Sequence, residues 1–200
     1  MQITLGDVKR ATYTRMFLED TEYEEYDEAI IQGINHGLLD LANLFPIKAQ
    51  YEINQTASTD EGENEYDIRT LTQEGGVNKF IRFANPALLV VSGGDTSVAF
   101  DYKIIADRYL HIKKNYGGTF KVQYYRFPAE ISNDTDENYE FDIDAEAANL
   151  LPLYATWWAM QDDDIQTATM AYNEYQEAKQ TLRDKQNWYS GIEISGGYDL

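Results

Sequence analysis

Between Tyr23 and Phe45 the residues Tyr23, Tyr26, Ile30, Ile34, Leu38, Leu41 and Phe45 recur at steps of three and four, the spacing that lines one face of an α-helix. Thr21 and Glu24 form a capping box at its start, and acidic residues crowd its first two turns, where they complement the helix dipole. Directly after Pro46 the period drops to two. In IKAQYEINQ, Ile47, Ala49, Tyr51 and Ile53 alternate with Lys48, Gln50, Glu52 and Asn54, which predicts a strand with one buried and one wet face. Proline disfavours helical geometry at the residue before it, so Pro46 marks the change. A shorter helix precedes both: Thr4 caps a segment with Asp7 near its positive end and Leu5, Val8 and Ala11 along one side.

Six more strand-like runs follow the first: YDIRTLT, KFIRFA, ALLVVSG, SVAFDYKI, RYLHIKK and TFKVQYYRF, punctuated by Gly75-Gly76, Pro86, Gly93-Gly94 and Gly117-Gly118. Seven short strands with such turn signals predict a small antiparallel sandwich or barrel. Helical spacing returns near the end. Asp144 caps a segment that Pro152 interrupts or restarts, and a last helix runs from about Asp164 to Gln186 with Ile165, Ala168, Tyr172, Tyr175 and Leu182 on its apolar stripe. The expected fold class is α+β. A helical bundle built from N- and C-terminal helices (residues 1–45 and 145–186) carries an inserted antiparallel β domain (46–131), an acidic linker (132–144) and a flexible C-terminal tail (187–200).

Charge narrows the function. The 200 residues carry a formal charge of −19, which disfavours nucleic acid or an anionic membrane as a surface ligand, because each phosphate contact needs a local Lys or Arg. Basic residues gather between 79 and 126, where eight Lys/Arg face three Asp/Glu, whereas residues 133–146 hold seven acidic residues and no basic one. The second segment reads as an exposed return linker. No apolar run is long enough to span a bilayer, and the N-terminus lacks the apolar core of a signal peptide. Without cysteine there is no thiolate metal site and no Cys nucleophile.

Candidate chemistry is sparse. His36 and His111 lack metal-ligand spacing and read as structural or surface histidines. Ser92, Ser97, Ser190 and Ser195 lack a nucleophile elbow, and VSGGDTS has the glycines of a phosphate loop without its Lys, so it reads as a hairpin turn. Asp162, Asp163 and Asp164 sit between two helices, where one of them caps the second. Gly33 and Gly37 form a G-x-x-x-G that reads as incidental in a soluble amphipathic helix. Trp157 and Trp158 cannot face the same way on a helix. Their adjacency implies apolar contact on two sides, inside the protein or with a partner.

The order of the helical ends is what carries a family likeness. The opening ITLGDVKRATYTRMFLEDTEYEEYDEAIIQGINHGLLDLANLFP, with its Ile34-Asn35 pair, resembles the start of head-tail connector (neck adaptor) proteins of tailed bacteriophages. The closing blocks VQYYRFPAEIS, NDTDENYEFDID, LLPLYATWWAMQDDD and ATMAYNEYQEAKQTL are similar to versions of that family with a β insertion. The resemblance implies a structural protein of the virion neck with no enzymatic activity and no cofactor, assembled in the bacterial host cytoplasm. Its partners would be the portal protein, other copies of itself in a ring, usually a dodecamer, and a tail or second neck protein. DNA would pass through the ring without specific binding, past an acidic wall that repels it; no membrane is involved. The resemblance places the portal or subunit interface on Trp157, Trp158, Trp188, Tyr189, Ile192 and Ile194. Two other classes stay open on the residues alone: a β-sandwich binding module for a glycan or tail-fibre partner, and a carboxylate-dependent enzyme.

Overall fold

In a computed structural model the described residues are 3–17, 23–73, 79–92, 94–99 and 101–190, with the side chains of 23 and 186–190 outside the description. Their order is α1 (Leu5–Met16), α2 (Tyr23–Ala42), β1 (Ile47–Gln55), β2 (Glu63–Asp67), α3 (Ile68–Leu71), β3 (Phe80–Ser92), β4 (Asp95–Val98), β5 (Tyr102–Ile105), β6 (Tyr109–Lys113), β7 (Gly118–Arg126), α4 (Ala145–Ala148), α5 (Leu151–Ala159) and α6 (Ile165–Ser190). The protein is thus mixed α and β with antiparallel sheets. It divides into two compact units, Met1–Phe45 with Ile131–Leu200, and Pro46–Glu130. No described helix is long and apolar enough to cross a membrane.

In the helical unit the capping expected at Thr4 is reciprocal: its side chain accepts from the Asp7 amide, and the Asp7 carboxylate accepts from the Thr4 amide, both at 3.2 Å. The hydrogen bonds from Thr4 hold the Asp7 carboxyl below its usual range. On α2, Ile30, Ile34, Leu38 and Leu41 are buried as their spacing requires. The helix ends at Ala42, three residues before Phe45, and the Leu44 and Phe45 amides close its last turn on the Leu41 carbonyl. Thr21, the expected cap, lies outside the described residues. Asp144 caps α4, a single turn, and α5 restarts with Pro152 in its first turn, where the missing N–H costs nothing.

The acidic segment 132–144, expected to be an exposed linker, is instead anchored. Phe141 and Ile143 are buried, Thr4 bridges Glu140, and the Leu5 and Gly6 amides donate to the carbonyls of Tyr139 and Glu137 at 2.9 and 2.8 Å. Its acidic residues are exposed while Phe141, Ile143 and the ties to α1 hold it to the unit. The charge run therefore disguised a packed strap. Asn35 fixes its start: its amide donates to the Ile131 carbonyl and accepts from the Ile131 N–H, both at 2.8 Å. Asn35→Ala is expected to cost about 1–2 kcal/mol in urea unfolding, because it strands both backbone groups of Ile131; Asn35→Asp, which keeps only the acceptor, should fall between.

In the β unit one sheet has the order β1-β7-β3-β4 and the other β2-β6-β5. Side chains of both sheets share one apolar cluster that includes Ile53, Leu88, Leu110, Ile112, Phe120, Val122 and Tyr124. β1 matches its expected span residue for residue and pairs with β7 from Ile47↔Arg126 to Gln55↔Gly118. Elsewhere the strand assignment needs correction. KFIRFA and ALLVVSG are one strand, β3, because Pro86 sits in a register shift between Phe83 and Leu88 where no ladder N–H is required. SVAFDYKI is divided, β4 joining one sheet and β5 the other. In YDIRTLT the strand ends at Asp67 and Ile68–Leu71 forms a helical turn.

That turn is held by Arg108. Its Nε donates to Asp67 Oδ1 at 2.8 Å, its Nη2 bonds the other oxygen, and Thr70 adds a hydroxyl at 2.9 Å. The guanidinium holds the Asp67 carboxyl well below the usual carboxylate range. A carboxyl depressed by folding stabilises above its unfolded pKa, near 3.8, and the stabilisation is lost only as pH falls through the lower folded value. Carboxyl titration followed by NMR should place Asp67 below its usual range in the wild type and return it towards 3.8 in Arg108→Ala.

Candidate assembly surface

Small residues decide how closely two helices approach. On α2, a Cβ placed on Gly33 would lie 2.9 Å from both the Ala155 Cα and the Trp158 Cβ of α5, and one on Gly37 would lie 3.2 Å from Leu151 and Tyr154. The G-x-x-x-G, a spacing that allows close helix approach but is often incidental in a soluble helix, is here the seat of α5. Periodicity had shown the glycines to be on one face but could not show what covers it.

Seating α5 there arranges a row of rings over three helices. His36 of α2 stacks on Trp158 at 4.2 Å and 25°. Trp158 meets Trp157 edge-on at 6.0 Å, Trp157 meets Tyr172 of α6 at 4.6 Å, and Tyr154 touches Trp157 and Tyr175 at 4.9 and 5.0 Å. The two tryptophans do contact apolar groups on two sides, Trp158 towards α2 and Trp157 towards α6. Both are half-buried, flanked by exposed His36 and Tyr172. Beneath this seam Tyr175 is fully buried; its hydroxyl donates to Asp40, which also accepts from Lys179 Nζ at 2.5 Å. Burial first, then the Asp40 carboxylate, pushes the Tyr175 hydroxyl far above its usual range and keeps it a donor.

Among the described side chains of α6, Ala168, Ala171 and Tyr175 are the buried ones. Ile165 and Tyr172, expected on the buried stripe, are 70% and 36% exposed. They lie seven residues apart on one face of α6, and Tyr172 packs against Trp157. Asp164 is the cap: its Oδ1 accepts from the Gln166 and Thr167 amides at 3.0 and 3.2 Å, and the Thr167 hydroxyl first, then these amides, lower its pKa. Asp163 accepts the Tyr26 hydroxyl at 2.9 Å. Phe17, 86% exposed at the left-handed C-cap of α1, is a further surface residue that no periodic pattern marked. Trp188 and Tyr189 fall in the last turn of α6, which runs to Ser190 and not to Gln186, but their side chains lie outside the description. Ile192 and Ile194 lie outside the described residues altogether.

Each histidine has neighbours within its own unit. His36 stacks on Trp158, while His111 sits in the β unit with Nδ1 3.5 Å from Glu63 and Nε2 3.2 Å from Glu65. Although that second distance is short, Nε2 is buried and makes no aligned hydrogen bond. Among the described residues no three His, Asp or Glu side chains are grouped so as to hold a metal ion. The chain matches no protein-family model, and no curated protein matches it.

Proposed function

We propose that this chain is a structural protein of a tailed-bacteriophage neck. On this reading it forms a ring below the portal, extends the DNA channel and docks tail or further neck proteins. Its N- and C-terminal helices would make a bundle into which the two sheets are inserted as a β-sandwich. The observation that carries the reading is the aromatic seam His36–Trp158–Trp157–Tyr172, with Ile165 exposed two turns before Tyr172 on α6, apolar surface of the kind that marks a protein interface. Acidity supports the channel role. The helical unit holds six Lys/Arg and twenty-four Asp/Glu, a net −18, against ten and eleven in the β unit, a net −1. An acidic wall repels the duplex and lets it slide.

The test is to mix the purified protein with portal rings of the same virus and to weigh and image the product. A symmetric added ring is expected; portal rings that gain no mass would refute the reading. Deleting residues after Gln186 is expected to leave the helical unit folded, as judged by its thermal transition, and to abolish portal binding. Co-assembly at wild-type yield would remove the tail from the interface.

One observation favours a second reading, the β unit as a binding module. An open cleft of about 500 Å³ is lined by Thr59, Asp60, Glu61, Gly62, Glu63, Lys113 and Asn115, among which are polar side chains able to hydrogen-bond a glycan. Retention on a glycan array separates the two readings, since a neck adaptor predicts none.

A further inference from the structure

The charges of the two sheets are disposed differently. On the three-stranded sheet they are paired: Lys103 with Glu63 and Lys113 with Asp101, each at 2.6 Å, and Arg108 with Asp67. The outer face of the four-stranded sheet is not so balanced. One row across it reads Lys48, Tyr125, Arg82, and a second reads Glu52, Lys121, Leu89, Val98. Lys121 pairs with Glu52 at 3.6 Å. Exposed Arg82 lies 5.2 Å over the Tyr125 ring, and neither it nor exposed Lys48 is ion-paired among the described residues. Leu89 is half-buried and Val98 is 41% exposed. The face thus offers an apolar corner beside uncompensated positive charge.

The helical unit offers the converse. Exposed Ile165 and Tyr172 share one face of α6 two turns apart, Tyr172 against Trp157, and directly before Ile165 stand exposed Asp162 and Asp163. Like-charged seams repel each other, so this patch disfavours its own copy on a two-fold axis. It fits the sheet face in both respects, apolar against apolar and acid against base.

Building on the neck reading, we propose that the acidic aromatic patch of one copy docks on the basic outer face of the four-stranded sheet of a second copy. Because the two patches differ, the contact is heterologous. Each subunit keeps one patch of each kind free after pairing, which is the condition for a repeating head-to-tail assembly that closes into a ring.

Two charge-reversed full-length variants test this by mass photometry, alone and with portal rings. Lys48→Glu with Arg82→Glu makes both patches acidic, and Asp162→Lys with Asp163→Lys makes both basic; Asp164 is left in place because it caps α6. Each variant alone is expected to associate more weakly by on the order of a hundredfold or more, the size of a like-charge juxtaposition. An equimolar mixture should regain assembly, since every contact in an alternating array is again between opposite charges. Wild-type association should fall as salt is raised. The inference is overturned if either variant assembles like the wild type, if two folded variants fail to complement, or if the wild type stays monomeric both alone and with portal rings. Should a reversal prevent folding, the Lys48→Gln, Arg82→Gln pair replaces it, and undiminished assembly of that variant equally overturns the inference. The neck reading fails separately: a wild type that assembles through these faces but adds no mass to portal rings refutes the neck role alone.

Discussion

Phe141→Ala is expected to destabilise the helical unit by about 3–5 kcal/mol, the range for truncating a buried phenylalanine. The side chain is 1% exposed and packs edge-on against Tyr139 at 5.7 Å. It is also the apolar anchor of a strap whose neighbours on either side are acidic, Glu140 and Asp142. Removing it therefore takes away apolar burial and leaves a cavity beside the backbone ties to α1. The carbonyls of Glu137 and Tyr139 would lose their hold on Gly6 and Leu5, so amide exchange should rise first at the start of α1. For a unit of this size the thermal midpoint should drop by more than about 10 °C. Phe141→Leu, which keeps most of the volume, should lose far less. A Phe141→Ala midpoint within a degree or two of the wild type would mean that the strap is the solvated linker its composition suggests.

Gly33→Leu tests the seat of α5 in the same way. Two effects oppose each other: a leucine gains about 0.8 kcal/mol of helix propensity over glycine, and overpacking costs about 1–3 kcal/mol, occasionally more. Steric cost wins here because the nearest atom to the new Cβ is the Ala155 Cα at 2.9 Å, backbone that cannot rotate away. A net loss of about 2–3 kcal/mol is expected in urea unfolding, with a fall in Trp fluorescence anisotropy as Trp158 leaves His36. Gly37→Ala is the control. Its neighbours are the side chains of Leu151 and Tyr154 at 3.2 Å, which can yield by a few tenths of an ångström, so propensity and packing should nearly cancel. Equal losses at 33 and 37 would show that the close approach is not specific to the backbone of α5.

These two positions also mark how legible the protein was in its sequence. Residues Ile47 to Gln55 are legible because a half-buried strand imposes period two on its own residues, and so are the caps Thr4 and Asp144 and a cap among Asp162, Asp163 and Asp164, because a cap bonds to amides two or three residues away. Several differences are of partnership. Pro86 looked like a break because a proline forbids a ladder bond, but whether that bond is needed depends on a shift against β7. Ile165 and Tyr172 share a helical spacing with Tyr175, and only the placement of α5 decided that Tyr175 is covered while they are not.

The sequence by itself determined the long amphipathic helices, the first strand, where charge accumulates, and the absence of any cysteine chemistry, because local periodicity, capping and composition depend on neighbours along the chain. Tertiary structure alone decided that a string of acidic residues is a packed strap, that two glycines seat a helix, and that the paired tryptophans lie half in and half out. Each of these turns on what stands opposite a residue across several ångströms of space, and no spacing within a single segment encodes that.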